Sequence, residues 1–169
     1  MLRVLAGDAD PTFEDLPKLR YLTACVREAL RINTPISYVV PRASSSATTL
    51  GRYPIPAHTS IVLNIYAIHH NDEDWPEPFQ FDPERFLRQA SVKGAFQSTN
   101  VSFGLGQRQC PAQAFAIDEQ LVLTAMLLKA FEWSLPDGSI HEKEIQNAFS
   151  PFALSLPRNV DIRVSKRAC

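Results

Sequence analysis

The sequence predicts an α+β fold, mainly α, in a single domain. Three observations lead there. The chain has 169 residues, the size of one ordinary domain. Two segments carry apolar residues at helical spacing, and only short β-branched pieces lie between them. The 13 prolines cluster between these segments rather than inside them, as short elements joined by tight turns require. Apolar residues make up 45% and charged residues 21% of the chain, ordinary globular usage that argues against disorder, collagen-like repeats and coiled coil.

The elements follow in order. Pro11 and Pro17 bracket an acidic turn, TFEDLP. A helix is expected over 16–32, with Leu19, Leu22, Val26, Ala29 and Leu30 on one apolar face and Pro35 just beyond its end. Strand-like pieces are expected at 37–40, 47–53 and 59–66, the last two separated by the turn PIPAH. The segment HHNDEDWPEPFQFDPERF lacks periodicity but holds Trp75, Phe79, Phe81 and Phe86, so it reads as an ordered meander with buried aromatic rings. Residues 88–100 are small and polar, an exposed loop. A strong helix is expected over 112–133, with a second half so apolar that it should be enclosed on most sides. The tail from Pro136 alternates enough to suggest a terminal hairpin.

Composition removes several function classes. The net charge is −1, which gives no footprint for nucleic acid and no basic face for a membrane surface. Cys25, Cys110 and Cys169 are widely spaced and odd in number, so neither a disulfide framework nor a CxxC site is expected, and a reducing compartment fits. The four histidines form no HExxH or finger spacing. No segment reads as a signal peptide or a membrane span.

Three motifs remain. In FGLGQRQC, residues 103–110, two of the six glycines permit a tight turn and close approach to a flat ligand. Arg108 supplies a permanent cation two residues before Cys110. With Pro111 next, Cys110 is expected at the cap of the following helix, where the dipole favours the ligating thiolate. A thiolate on a glycine loop beside a fixed cation suits a metal with one protein ligand. A buried cysteine before a helix is the plainer reading of that residue alone. Phe, Gly, Arg and Cys at these offsets arise together by chance at roughly 10⁻³ or below. In REALR, Glu28 and Arg31 share a helix face, which by itself is an everyday surface pair. In DPERF, Arg85 lies among aromatic residues, where a buried charge needs a partner, and Glu28 could hold both arginines.

Together and in this order, these segments resemble the C-terminal part of the cytochrome P450 haem-thiolate monooxygenases. Phe103, Gly106, Arg108 and Cys110 match the family pattern FxxGxRxC. Glu28 and Arg31 match its ExxR helix, and Arg85 the arginine of its PERF meander. The resemblance covers nearly the whole chain, from about Val4 to Lys166. One departure is Ala112, where the family pattern usually has glycine.

The resemblance implies that residues 1–169 are the C-terminal haem-binding portion of such a domain: ExxR helix, small sheet pieces, meander, cysteine loop, long helix and terminal hairpin. It implies haem b as cofactor, with Cys110 as axial thiolate ligand of the iron, a donor that favours O–O cleavage. Arg108, and less directly Arg42, would pair with haem propionates. Phe103 would shield the sulfur and Gly106 would let the loop approach the ring. Glu28, Arg31 and Arg85 would form a buried structural network. Ile36, Val39, Val40 and Phe152 would border the substrate pocket.

The implied reaction inserts one atom of O2 into a small organic substrate, lipophilic or a secondary metabolite. Electrons would come from an NADPH–cytochrome P450 reductase-type donor. The alternative is a non-catalytic, haem-binding remnant. The family's distal oxygen-activating helix and N-terminal anchor find no match here. Weak haem retention is therefore expected, with exposed apolar surface on the long helix. The style of the motifs is that of a eukaryotic, fungal-like microsomal member. Such enzymes usually sit on the cytosolic face of the endoplasmic reticulum; without the anchor, this chain is expected to be cytoplasmic or is left unassigned.

Overall fold

The computed structural model describes residues 11–88, 100–149 and 154–167. The expected first helix begins as a 3₁₀ turn, Leu16–Lys18, and continues as α1, Arg20–Ile32. The break lies at Leu19, whose φ of −83° and ψ of 42° are not helical; Pro17 stands in the first turn, where its missing N–H costs nothing. Helix α1 buries two faces. Leu22 and Val26, with Leu16 and Leu19 before them, pack against Leu121 and Ala125 of the long helix. Ala24 packs against Trp75 and Phe86 of the meander. Ala29, expected on the apolar face, is exposed, and Glu28 and Arg31 are buried in its place.

The middle of the chain corrects the expected strands. The expected strand 37–40 is reduced to one isolated bridge, Tyr38 with Asn64, and Ile36 just before it makes another with Leu154. The expected strand 47–53 is two: β2, Thr48–Leu50, turns at Gly51 into β3, Tyr53–Ile55, an antiparallel pair with Leu50 opposite Tyr53. Gly51 has φ of 58°, which a two-residue hairpin loop needs and most side chains resist. Before them, β1, Arg42–Ala43, pairs with β4, Ser60–Ile61.

The expected strand 59–66 stops at β4, because Asn64 caps a helix. Its Oδ1 accepts from the Ala67 N–H at 2.9 Å, and α2, Ile65–His69, follows. The meander buries Trp75 and Phe86, but Phe79 and Phe81, expected to be buried, are exposed; it leads into α3, Glu84–Arg88. Most of the expected 88–100 loop lies outside the described residues.

The long helix α4 spans Gln113–Ala130 and then turns to strand β5, Phe131–Ser134, so the expected helix to Trp133 ends early. The expected enclosure is also corrected. Leu121 and Ala125 are buried, but Leu123, Met126 and Leu127 are exposed. Helix α1 covers one side of α4, which accounts for a buried stripe at i, i+4 spacing. The tail forms β6, Asn147–Phe149, antiparallel to β7, Ser155–Pro157, and β8, Arg163–Lys166, returns to pair with β5. Among the described residues, no helix is long and apolar enough to cross a membrane.

Candidate functional site

The site is built outward from Glu28, which has no solvent exposure. Arg31 lies one turn further along α1 and grips the carboxylate with two parallel bonds. Its Nε donates to Oε2 at 2.8 Å and its Nη2 to Oε1 at 2.9 Å. Arg85 of α3 donates from Nε to the same Oε1 at 3.1 Å, and the Asp82 backbone N–H adds a bond of 3.0 Å. One buried carboxylate thus faces two guanidinium groups. The excess positive charge is met by carbonyl dipoles. Arg85 donates to Pro76 O at 3.1 Å and to Gln80 O at 3.3 Å, while Arg31 Nη1 donates to His69 O at 2.7 Å. The Arg31 guanidinium also lies 5.1 Å from the centroid of the Trp75 ring. The two arginines and Glu28, separate motifs in the sequence, are therefore one cluster that fastens the meander to α1.

The cysteine loop starts at the buried Val101 and closes on its own backbone. The Gly104 N–H donates to Val101 O at 2.8 Å, and the Cys110 N–H to Phe103 O at 2.9 Å. Gly104 and Gly106 have φ of 74° and 72°, the left-handed region where glycine carries no penalty. Gly106–Arg108 is a 3₁₀ turn. Cys110 is a free, exposed thiol. The expectation of Cys110 at the helix cap is corrected: Ala112 is the N-cap and α4 begins at Gln113. The Cys110 N–H is committed to the loop, so the helix starts only after the loop has closed. Ala112 has φ of −91°, which alanine adopts without strain, so the departure from glycine there is accommodated.

The other expected residues divide. Phe103 is half-buried and lines a cleft with Arg27, Phe86 and Ile117. Arg108 and Arg42 are both exposed, and neither makes an ion pair among the described residues. Ile36 and Val40 are exposed and Val39 is half-buried; Ile36 lies opposite Leu154. Phe152 lies outside the described residues.

Sequence reasoning missed His69, which is completely buried. Its Nδ1 is 3.0 Å from Thr34 Oγ1, and its Nε2 accepts from the Val101 N–H at 3.0 Å. Burial, and then the nearby Arg31 charge, lower its pKa to about 4, so the ring is neutral at neutral pH. Two adjacent histidines carried no motif, and only the fold shows that one of them reaches the cysteine loop.

The donor set can be tested against the implied group. No three His, Cys, Asp or Glu side chains gather as metal ligands among the described residues. A metal on Cys110 would have one protein ligand and must bring its others with it, as a haem iron does. The exposed thiol, the open space beside Gly106 and the exposed guanidinium of Arg108 fit such a group.

The family model described as Cytochrome P450 matches residues 1–160. The chain belongs to the cytochrome P450 family. It is 36% identical over 129 residues to the steroid 17-alpha-hydroxylase/17,20 lyase of Cavia porcellus, covering 76% of this chain and 25% of that protein. It is 33% identical over 162 residues to the ent-sandaracopimaradiene 3-hydroxylase of Oryza sativa subsp. japonica, covering 96% of this chain and 31% of that one. Among solved structures, a zebra fish cytochrome P450 with abiraterone superposes with a TM-score of 0.82 at 28% identity, over 98% of this chain and 37% of that one. The cytochrome P450 fold is thus shared across the chain, which spans about a quarter to a third of the length of these curated relatives.

Proposed function

We propose that this chain supplies the haem-binding side of a cytochrome P450 monooxygenase, with Cys110 as the thiolate ligand of the haem iron. One observation carries the reading. An exposed cysteine sits on a self-closed glycine loop, and that loop is bonded through His69 to the buried Glu28–Arg31 cluster. Haem, when bound, supplies O2 binding and activation, and a thiolate ligand favours O–O cleavage.

The chain's own residues do the holding. Cys110 fixes the iron, Arg108 and Arg42 neutralise the propionates, and Phe103 keeps water from the sulfur. Gly106 leaves room for a flat ring. Glu28, Arg31 and Arg85 maintain the frame behind the loop. The apolar Ile36, Val39 and Val40, together with Phe152 by the family resemblance alone, suit a small lipophilic substrate. Electrons are delivered by an NADPH-dependent reductase, and the family setting is the endoplasmic-reticulum membrane.

A second reading, a haem-binding portion without turnover of its own, is favoured by the exposed Leu123, Met126 and Leu127 of α4, an apolar surface with room for a further packing layer. Isotope labelling separates the readings. The haem-loaded chain is supplied with reductase, NADPH, a panel of lipophilic substrates and ¹⁸O2. One labelled oxygen in a product, absent with Cys110→Ala, is the expected result. Thiolate-ligated haem that yields no labelled product supports the second reading. Haem bound equally by the wild type and Cys110→Ala contradicts both.

A further inference from the structure

His69 carries an arrangement that the proposed reaction does not itself explain. Its ring makes two bonds to two separate parts of the chain, and their chemistry is dictated by the partners. Val101 offers a backbone N–H, which can only donate, so Nε2 must be an unprotonated acceptor at 3.0 Å. The Thr34 hydroxyl donates its proton to Arg31 O at 2.7 Å, so it meets the imidazole, 3.0 Å away, as an acceptor for Nδ1–H. The ring is neutral and held in one tautomer. The backbone carbonyl of the same residue accepts from Arg31 Nη1 at 2.7 Å.

These bonds bring together three places that are far apart in sequence. Arg31 is in the last turn of α1 and Thr34 lies just beyond it, His69 is the end of α2, and Val101 is the foot of the cysteine loop. From Val101 the path to the sulfur is short. Val101 O accepts from the Gly104 N–H at 2.8 Å, and Phe103 O accepts from the Cys110 N–H at 2.9 Å. Val101 is itself buried, so water cannot replace the imidazole at its N–H without opening the core.

We infer that His69 is a positioning residue for Cys110: a single-tautomer imidazole that pins the foot of the cysteine loop to the Glu28–Arg31 helix. The role assigned to Cys110 rests on the function proposed above; the tether itself does not. Protonation of Nε2 would set two donors against each other and add a cation beside Arg31. The tether is therefore specific for the neutral ring and not merely for its volume.

Three substitutions in the full chain test this. His69→Gln keeps an acceptor near the place of Nε2. His69→Asn keeps a polar group near Nδ1 only, and His69→Phe keeps the volume alone. Amide exchange at Val101 is followed beside Leu121 of α4, which reports general opening. Val101 exchange is expected to rise at least about tenfold in His69→Asn and His69→Phe with Leu121 unchanged, and to stay near the wild-type rate in His69→Gln. Equal Val101 exchange in all three variants, or Val101 and Leu121 rising together, overturns the inference.

A measurement on the unaltered protein stands if every variant fails to fold. The ¹⁵N shifts of the His69 ring at neutral pH should show a protonated Nδ1 and a bare Nε2, and the opposite tautomer overturns the inference. With haem supplied, the CO-bound reduced form should keep its thiolate band in His69→Gln and lose most of it in His69→Asn. Should the wild type bind haem without any thiolate band, the function reading fails, and the Val101 exchange rates still decide the tether.

Discussion

Glu28 and Arg85 are 57 residues apart in the chain, yet Arg85 Nε lies 3.1 Å from Glu28 Oε1 with both side chains buried. The contact turns an irregular, proline-rich meander into a fixed wall of the core. It also concentrates risk. A single buried carboxylate compensates two guanidinium groups.

Glu28→Gln should therefore cost about 3–5 kcal/mol, because two buried cations lose the one ionic partner they have among the described residues. Arg85→Lys keeps the charge but loses the forked donors to Pro76 and Gln80, and should cost less than Glu28→Gln. Urea unfolding of the two variants beside the wild type measures this. An unchanged midpoint for Glu28→Gln would show that the cluster does not hold the meander.

Stability should also fall with acid through His69. Its pKa is lowered in the folded chain to about 4, against an ordinary value of 6.5. The unfolded chain then binds the extra proton between these values. The ring's contribution is fully present above pH 6.5 and is lost as pH falls toward 4, at most about 3 kcal/mol. The charged or titratable groups facing it are Arg31, which opposes protonation, His70 beside it, and Glu28 behind Arg31. Urea midpoints of wild type and His69→Gln at pH 7 and pH 5 check this. The wild type should lose more stability between those pH values than the variant, and parallel losses would contradict the assignment.

The two faces of α4 should respond unequally. Leu121 packs in the core with Leu22 and Val26, so Leu121→Ala should cost about 2–5 kcal/mol. Leu127 is half-exposed, and Leu127→Ala should cost under about 1 kcal/mol. Thermal melts of the two variants compare them. Equal losses would mean that the exposed face is covered in solution.

Ala112→Gly should be nearly neutral, within about 1 kcal/mol, since glycine is an acceptable N-cap and the backbone there needs no positive φ. A large gain or loss in the melting temperature would show that this position carries more than the start of the helix.

The motifs legible in the sequence were those whose spacing is itself the chemistry. Glu28 and Arg31 share a helix face whatever surrounds them, and the glycines of 103–110 announce a tight loop. Arg85 was legible because a cation among aromatic residues needs a partner. His69 was not, since neither neighbouring histidine shows which one turns inward until Thr34 and Val101 are placed around it. The short strands misread for a local reason. Asn64 in LNIYAIHH is a helix cap, and Gly51 is a hairpin turn, and both signals sit inside β-branched runs that suggest continuous strand. The open side of α4 was half legible: its composition asks for enclosure, and only the fold shows that α1 covers a single stripe.

The most direct test of the account is the CO difference spectrum of the dithionite-reduced chain, prepared with haem supplied, beside Cys110→Ala. The account predicts a red-shifted Soret band that disappears in the variant, because iron ligated by a thiolate gives it and iron without that sulfur does not. A bound haem with no red-shifted band, or the same band in Cys110→Ala, would contradict it.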